Sequence, residues 1–568
     1  MFFLFHFIQG GKIMMENQAG NTGQQKTEGV AGLKKYDVRI GGVVFLIYCL
    51  VAAGAFGIEE MIPEAGPGMT ITLLCVFPII WAWPISNICA EMGSVLPAEG
   101  GVYIWAQKAF GEFWGFQAGW WNTVSIYVTN GVYVALVVGY TRQFIPMPDA
   151  TAFAIKVAMI AFFTIINLLG IREVSKASTV FSIMIVSAFA VVAIVGFANW
   201  NYNPMEPFVP EDYGILDGIG GGICICVWMY CGYECISTLA GEVKNPQVIP
   251  KGLLIAMPLI ALTYVLPTIG GLASVGNWES WSTDGGFDSS SVGYATVLTE
   301  NLGQAWGYVF LFIAIISQCA IFNTYLASGS RGFFVMADDN LFPRTLVKVS
   351  KKRGVPTVGI LSLALVTLFL AQFDFATLVN TEVVFILALY MILPICTIKL
   401  RKIYPIEERR AKGQYVMPGG KAGLYFFTMM PLIISVFALL INGTDYFLVG
   451  LAGISTGPLA YMIFKWVKGG LAKNDPVKYP LNEKTKLAAG DIFRLGLFSF
   501  LAGIFAFLGQ FWLRWYEIDY GEWGPGDYDM FGDSVPRMLE ILKWGGLLFM
   551  FLGIILYVVG KKIEPKKD

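Results

Sequence analysis

Charge is scarce in this sequence. Asp, Glu, Lys and Arg make up 14% of its 568 residues, against about 25% in soluble globular proteins, which excludes an ordinary soluble multidomain enzyme. The 39 basic and 40 acidic residues leave a net charge of −1, so there is no polycationic surface for nucleic acid. Histidine is nearly absent. The single His6 excludes His-containing zinc motifs and any His-based triad. The nine cysteines (49, 75, 89, 224, 226, 231, 235, 319 and 396) all lie inside apolar runs. They read as small buried hydrophobes rather than as a secreted disulfide framework.

What remains is apolar: 56% of the residues are hydrophobic and 15% aromatic, with a mean hydropathy of +0.62. A helix needs about 20 apolar residues to cross a bilayer. Apolar windows of that order fall at 40–62, 69–93, 113–141, 151–170, 175–198, 216–240, 252–275, 304–328, 356–373, 377–397, 424–442, 446–466, 492–511 and 540–560. The expectation is an all-α integral membrane protein with about fourteen transmembrane helices. The opening MFFLFHFI is too short to span and reads, with the polar stretch after it, as a tail over 1–39.

Loop charge tests the count, because cytoplasmic loops accumulate Lys and Arg. With the N-terminus inside, 34 of the 39 basic residues fall on inside segments, and only Arg142, Arg514, Arg537 and Lys543 fall on outside loops. Both termini are therefore expected in the cytoplasm, in a multi-pass protein of the cell membrane.

Two expected spans are interrupted. The first reads VFLIYCLVAAGAFGIEEMIPEAGPG, with Gly54 and Gly57 at membrane depth and Glu59 and Glu60 next. The sixth reads GGICICVWMYCGYECISTLAGEV, with Gly232 at depth and Glu234 two residues on. The two are five spans apart, and five is odd, so the sixth enters from the opposite side to the first. That is the pattern of an inverted five-helix repeat with a substrate site at the midplane, since unwound backbone is tolerated there only around a cavity. Glycine also serves close helix packing. Here it recurs in register, each time beside intramembrane acids. The expected divisions are 40–198 and 199–397 for the two repeats, 398–466 for spans eleven and twelve, and 467–568 for a basic linker, two accessory spans and a tail.

A carboxylate at the bilayer centre costs about 3 kcal/mol even on a lenient scale, so intramembrane acids are candidates for function. Glu91 and Glu382 are expected near span ends, in structural roles. Glu59 and Glu60 follow the first break, where an external vestibule is one reading. Glu234 is the deepest: it is either a partner for a substrate ammonium or protonatable gate, or a hydrogen-bonding partner of backbone freed by the break.

The stretches GAFGIEE, FPIIWAWP, AEMGSVLPAEGGVYIWAQKAFGEFWGFQAGWW, STLAGEVKNPQVIPKGL and SGSRGFFVMADDNLFP resemble hallmark segments of the amino acid–polyamine–organocation transporter superfamily. Within it, they are most similar to plant-type polyamine uptake transporters and their bacterial relatives. The resemblance implies a LeuT-like core of ten helices in two inverted repeats, alternating access and secondary transport. No GxxxxGK[ST] loop for nucleotide phosphates is present to suggest otherwise, and no cofactor, metal or catalytic group is expected.

Similarity to the arginine–agmatine exchanging branch of that superfamily implies a role for individual residues. Trp228, Cys231 and Glu234 fall on substrate or gating positions of the sixth helix, Asn130 on one in the third, and Tyr325 on an aromatic one in the eighth. Gly54, Ala55, Phe56 and Gly57 fall on the first break, whose amides would receive a substrate carboxylate. Plain core packing is the alternative for Trp228 and Tyr325. The chain also departs from the pattern. A fifth-helix lysine of proton-coupled members is Ile185 here, and a third-helix aspartate of polyamine-type members is Thr129 beside Asn130. The expected partners are a small-molecule substrate, the bilayer, and a coupling proton or counter-substrate. The leading expectation is an amino-acid transporter, with a polyamine or other organic amine as the alternative substrate and a channel as the alternative class.

Overall fold

The structure, a computed structural model, describes residues 40–51, 54–97, 100–169, 174–238, 245, 247–284, 291–350, 355–482, 485–488, 490–521 and 534–563. The expected tail over 1–39 lies outside the described residues.

Helices carry the chain throughout. In order they are α1 (Ile40–Val51), α2 (Pro67–Val95, with a π-helical turn at Pro78–Ala82), α3 (Gly101–Phe110), α4 (Glu112–Phe144), α5 (Asp149–Leu169), α6 (Val174–Ala198), α7 (Ile215–Met229) and α8 (Val248–Ser274). Then come α9 (Gln304–Gly329), α10 (Thr357–Leu370), α11 (Phe375–Ile403), α12 (Gly420–Ile441), α13 (Gly443–Lys468), α14 (Asp491–Arg514) and α15 (Val535–Ile563). Among the described residues eleven helices are long and apolar enough to cross a bilayer, and α1, α7 and α10 are shorter apolar helices. Each window read from the sequence coincides with one of these.

The first and sixth windows are broken. After α1 the chain turns through Gly54 and Gly57, then resumes as a 3₁₀ turn at Ile58–Glu60 and a half-helix at Met61–Ala65. After α7 it turns through Gly232 and resumes at Cys235–Thr238. The half-helices pair crosswise: α7 packs on Met61–Ala65, while Cys235–Thr238 packs on α1. The first pairing is close, because a Cβ at Gly221 would come within 2.6 Å of the Glu64 carbonyl oxygen. The small-residue run GIGGG in α7 is what lets the two backbones approach.

Burial follows the same geometry. α4 runs through the middle of the bundle with α9 and α11 against it. In its most apolar stretch 89% of residues are buried, against 17% in α15. α14 and α15 pack mainly on each other through facing glycines, with a Cβ at Gly503 falling 2.6 Å from the Gly546 carbonyl.

Candidate functional site

The two breaks are built alike. Gly57 and Gly232 both have φ of +96°, a left-handed conformation that glycine alone adopts without strain. Each is followed two residues later by a glutamate, and each glutamate accepts a hydrogen bond from a tyrosine on another helix. In the first break Glu59 folds back, so that Gly57 N–H donates to its Oε2 at 3.0 Å, and Tyr140 of α4 donates to its Oε1 at 3.0 Å. In the second, the Tyr390 hydroxyl of α11 donates to Glu234. The Gly232 N–H donates to that same tyrosine oxygen at 3.4 Å. Glu59 and Glu234 are 0% and 2% exposed.

Aromatic side chains join the breaks. Trp228, at the end of α7, meets Phe375 edge-on with ring centroids 5.4 Å apart and reaches Tyr133 of α4 at 6.3 Å. Tyr133 in turn contacts Tyr325 of α9 at 5.2 Å. The Tyr325 hydroxyl donates to the Leu50 carbonyl oxygen at 2.5 Å, so α9 holds the end of α1 by one of the carbonyls the break releases. A Cβ added at Gly57 would meet Phe375 at 2.7 Å and Trp228 at 3.2 Å, and one at Gly232 would meet the Leu50 carbonyl at 3.0 Å. Gly57, Trp228, Gly232, Glu234 and Tyr325 therefore border one region, together with Cys231, whose thiol donates to the Trp228 carbonyl at 3.0 Å.

Other residues named from sequence point elsewhere. Phe56 packs among Tyr140, Phe189 and Phe310, at 5.3, 4.7 and 5.9 Å. Ala55 is buried, and its carbonyl accepts from Ile58 N–H at 3.3 Å. Gly54 faces Ile185 and Phe189, which a Cβ there would meet at 2.7 and 2.4 Å. The fifth-helix position that bears lysine in proton-coupled members is thus apolar packing against the first break. Asn130 Nδ2 donates back to the Ile126 carbonyl at 2.8 Å, and its Oδ1 is buried without a hydrogen-bond partner among the described residues.

The acids distribute as follows. Glu60 is half-buried, and its Oε1 accepts from Ser282 Oγ, Thr283 N–H and Thr283 Oγ1 at 2.9, 2.7 and 2.6 Å. Glu91 is structural, but it is fully buried rather than snorkelling. Arg401 and Arg409 bond to it at 2.6 and 2.7 Å, and Met417 N–H at 2.8 Å. Glu382 departs from the expectation of a span-end role. It faces α4 from within α11, 2% exposed, and accepts from Ser125 Oγ at 3.4 Å.

Sequence reasoning passed over Tyr133, Tyr140, Phe375 and Tyr390. Tyr133 follows Asn130 by one helical turn, which is the one signal that pointed to it; the others are aromatic residues in an aromatic-rich chain. Among the described residues no three His, Cys, Asp or Glu side chains are grouped as a metal site would require.

Comparison with known proteins adds the following. Residues 41–467 match the family described as amino acid permease. The chain is 29% identical over 434 residues to polyamine transporter RMV1 of Arabidopsis thaliana, spanning 75% of this chain and 85% of that one. It is 27% identical over 437 residues to polyamine transporter PUT1 of Oryza sativa subsp. japonica, spanning 75% and 78%. With the branched-chain amino acid permease BcaP of Bacillus subtilis (strain 168) it shares 25% over 438 residues, spanning 69% and 87%. Among solved structures, MhsT in complex with L-phenylalanine superposes with a TM-score of 0.55 at 11% identity, covering 72% of this chain and all of that one. That similarity establishes the fold, a LeuT-like one.

Proposed function

Because the chain belongs to the amino acid permease family and is a multi-pass membrane transporter, we propose that it is a secondary active transporter that moves an amino acid across the cell membrane by alternating access. The observation that carries this reading is the pair of broken helices, each turning at a left-handed glycine beside a buried glutamate. Unwound backbone at membrane depth leaves amides and carbonyls for a polar guest, and opposed half-helices place them at one level. In this reading Glu234 holds the substrate ammonium, Gly57 lies toward its carboxylate, and Trp228, Cys231, Gly232 and Tyr325 shape the chamber. The repeats run over 40–198 and 199–397, and both termini are cytoplasmic, as the loop charges favour.

One observation favours a second substrate, a polyamine or other organic amine. The Gly57 amide is already bonded to the Glu59 carboxylate, so a substrate without a carboxylate has nothing to displace there.

Uptake into proteoliposomes tests both readings. Saturable uptake with counterflow of labelled L-amino acids is the expected result. Conductance without counterflow would mean a channel and would overturn the proposal. If decarboxylated amines are taken up as well as their parent amino acids, the second reading replaces the first.

A further inference from the structure

Beside the two break glutamates, Glu59 and Glu234, a further carboxyl group is buried near the sixth-helix break. Glu382 is the eighth residue of α11, buried to 2% exposure. Its Oε1 takes the long hydrogen bond from Ser125, whereas its Oε2 is buried with no hydrogen-bond partner among the described residues. Thr129 and Trp228 stand beside it, and Glu234 and Cys231 lie within electrostatic range. Among the described residues no Lys or Arg forms an ion pair with Glu382. An ionised carboxylate in such surroundings is strongly disfavoured unless a cation joins it. Trp228, which stands beside Glu382, also borders Gly57, so Glu382 adjoins the region between the breaks.

We propose that Glu382 binds a second positive charge of the transported substrate, at a distance from the first, which the sixth-helix break holds beside Glu234. The two carboxyl groups come from different elements, α11 and the break after α7. That arrangement suits a guest with two separated cationic groups, a dibasic amino acid or a diamine. Glu382 is then a specificity-determining residue, setting the preference for dications over monocations of the same length. The inference rests on the reading of this chamber as the transport site.

The test uses the purified full chain in proteoliposomes with two matched pairs of probes: 1,4-diaminobutane against 1-aminobutane, and L-lysine against L-norleucine. The wild type is expected to prefer the dication of at least one pair by about tenfold or more, the worth of one charge-assisted hydrogen bond. Glu382→Gln should reduce that ratio by about the same factor. Glu382→Asp withdraws the carboxylate by one methylene and should shift the preferred diamine from 1,4-diaminobutane toward 1,5-diaminopentane, which a merely structural role would not do. If Glu382→Gln does not fold, this length shift carries the test alone. A wild type without dication preference, a ratio unmoved in folded Glu382→Gln, or an unshifted length preference in Glu382→Asp would each overturn the inference. Equal loss for both members of a pair would also overturn it, since one ammonium would then be shared by both acids. Uptake of every probe without discrimination refutes only the role of Glu382. Absence of uptake for all probes and all amino acids refutes the transport reading, and the inference with it.

Discussion

Gly57 N–H donates to Glu59 Oε2 at 3.0 Å, so the first break carries a carboxyl group of its own on the amide that a substrate carboxylate would seek. Tyr140 fixes the other carboxylate oxygen at 3.0 Å, which orients the side chain toward the break. Glu59 thereby competes with substrate carboxylates by occupying that amide. Glu59→Ala removes the acceptor and frees it. In competition uptake assays the affinity ratio of an amino acid to its decarboxylated amine should rise in this variant. A ratio that stays constant would mean that Glu59 has no influence on carboxylate recognition.

The buried cluster around Glu91 predicts a stability effect separate from transport. Glu91 is fully buried, and the side chains of Arg401 and Arg409 are 8% and 2% exposed. Glu91→Gln leaves two guanidinium groups without their anion, and breaking a buried pair from one side costs about 3–5 kcal/mol. Thermal or denaturant unfolding in detergent should show a loss of that order. A change below about 1 kcal/mol, the range of exposed pairs, would contradict the assignment.

Asp374 caps α11 and so places Phe375 against Gly57 and Trp228. Its Oδ1 accepts from Thr377 N–H at 2.8 Å and its Oδ2 from Thr377 Oγ1 at 2.7 Å. Burial pushes its carboxyl up, but the Thr377 amide and hydroxyl outweigh that and hold it below its ordinary value of 3.8. A depressed folded-state value stabilises above the unfolded value and is lost as pH falls through the folded one. Asp374→Ala should cost about 0.5–2 kcal/mol, as other N-cap losses do. It should also remove the part of acid destabilisation that sets in below about pH 4. Unfolding measured from pH 3 to pH 7 checks both; identical curves for the two proteins would contradict the cap.

The helix windows were legible because the bilayer fixes the length of an apolar run, and the breaks because glycine at depth beside acids is rare without a purpose. Glu382 lies two turns into α11, near a span end as expected, but it faces inward onto Ser125 of α4 rather than out to the interface, and hydropathy does not encode which way a residue near a span end faces. Phe375 lies before the window at 377–397 and carries no signal of its own. The direction of Glu59 depends on the left-handed turn at Gly57, and neither period nor hydropathy encodes where a side chain points inside a turn.

The last two helices are expected to be dispensable for binding. They pack on each other through Gly503 and Gly546, while Glu112 is engaged by Lys465 and by Leu471 N–H at 2.7 Å, both before Asn474. Truncation from Asn474 onward should leave ligand binding measurable in a thermal-shift assay. A folded truncated protein that binds nothing would assign α14 and α15 to the site.

The central claim, that substrate crosses through the two glycine breaks, is tested most directly by counterflow in proteoliposomes carrying Gly57→Val. At φ of +96° a β-branched residue costs about 1–2 kcal/mol in backbone strain, and its Cβ would stand 2.7 Å from Phe375 and 3.2 Å from Trp228. Counterflow should fall by at least about tenfold, the equivalent of 1.4 kcal/mol, in protein that still elutes as a folded species. Wild-type counterflow in folded Gly57→Val protein would show that the break is packing alone and that substrate takes another route.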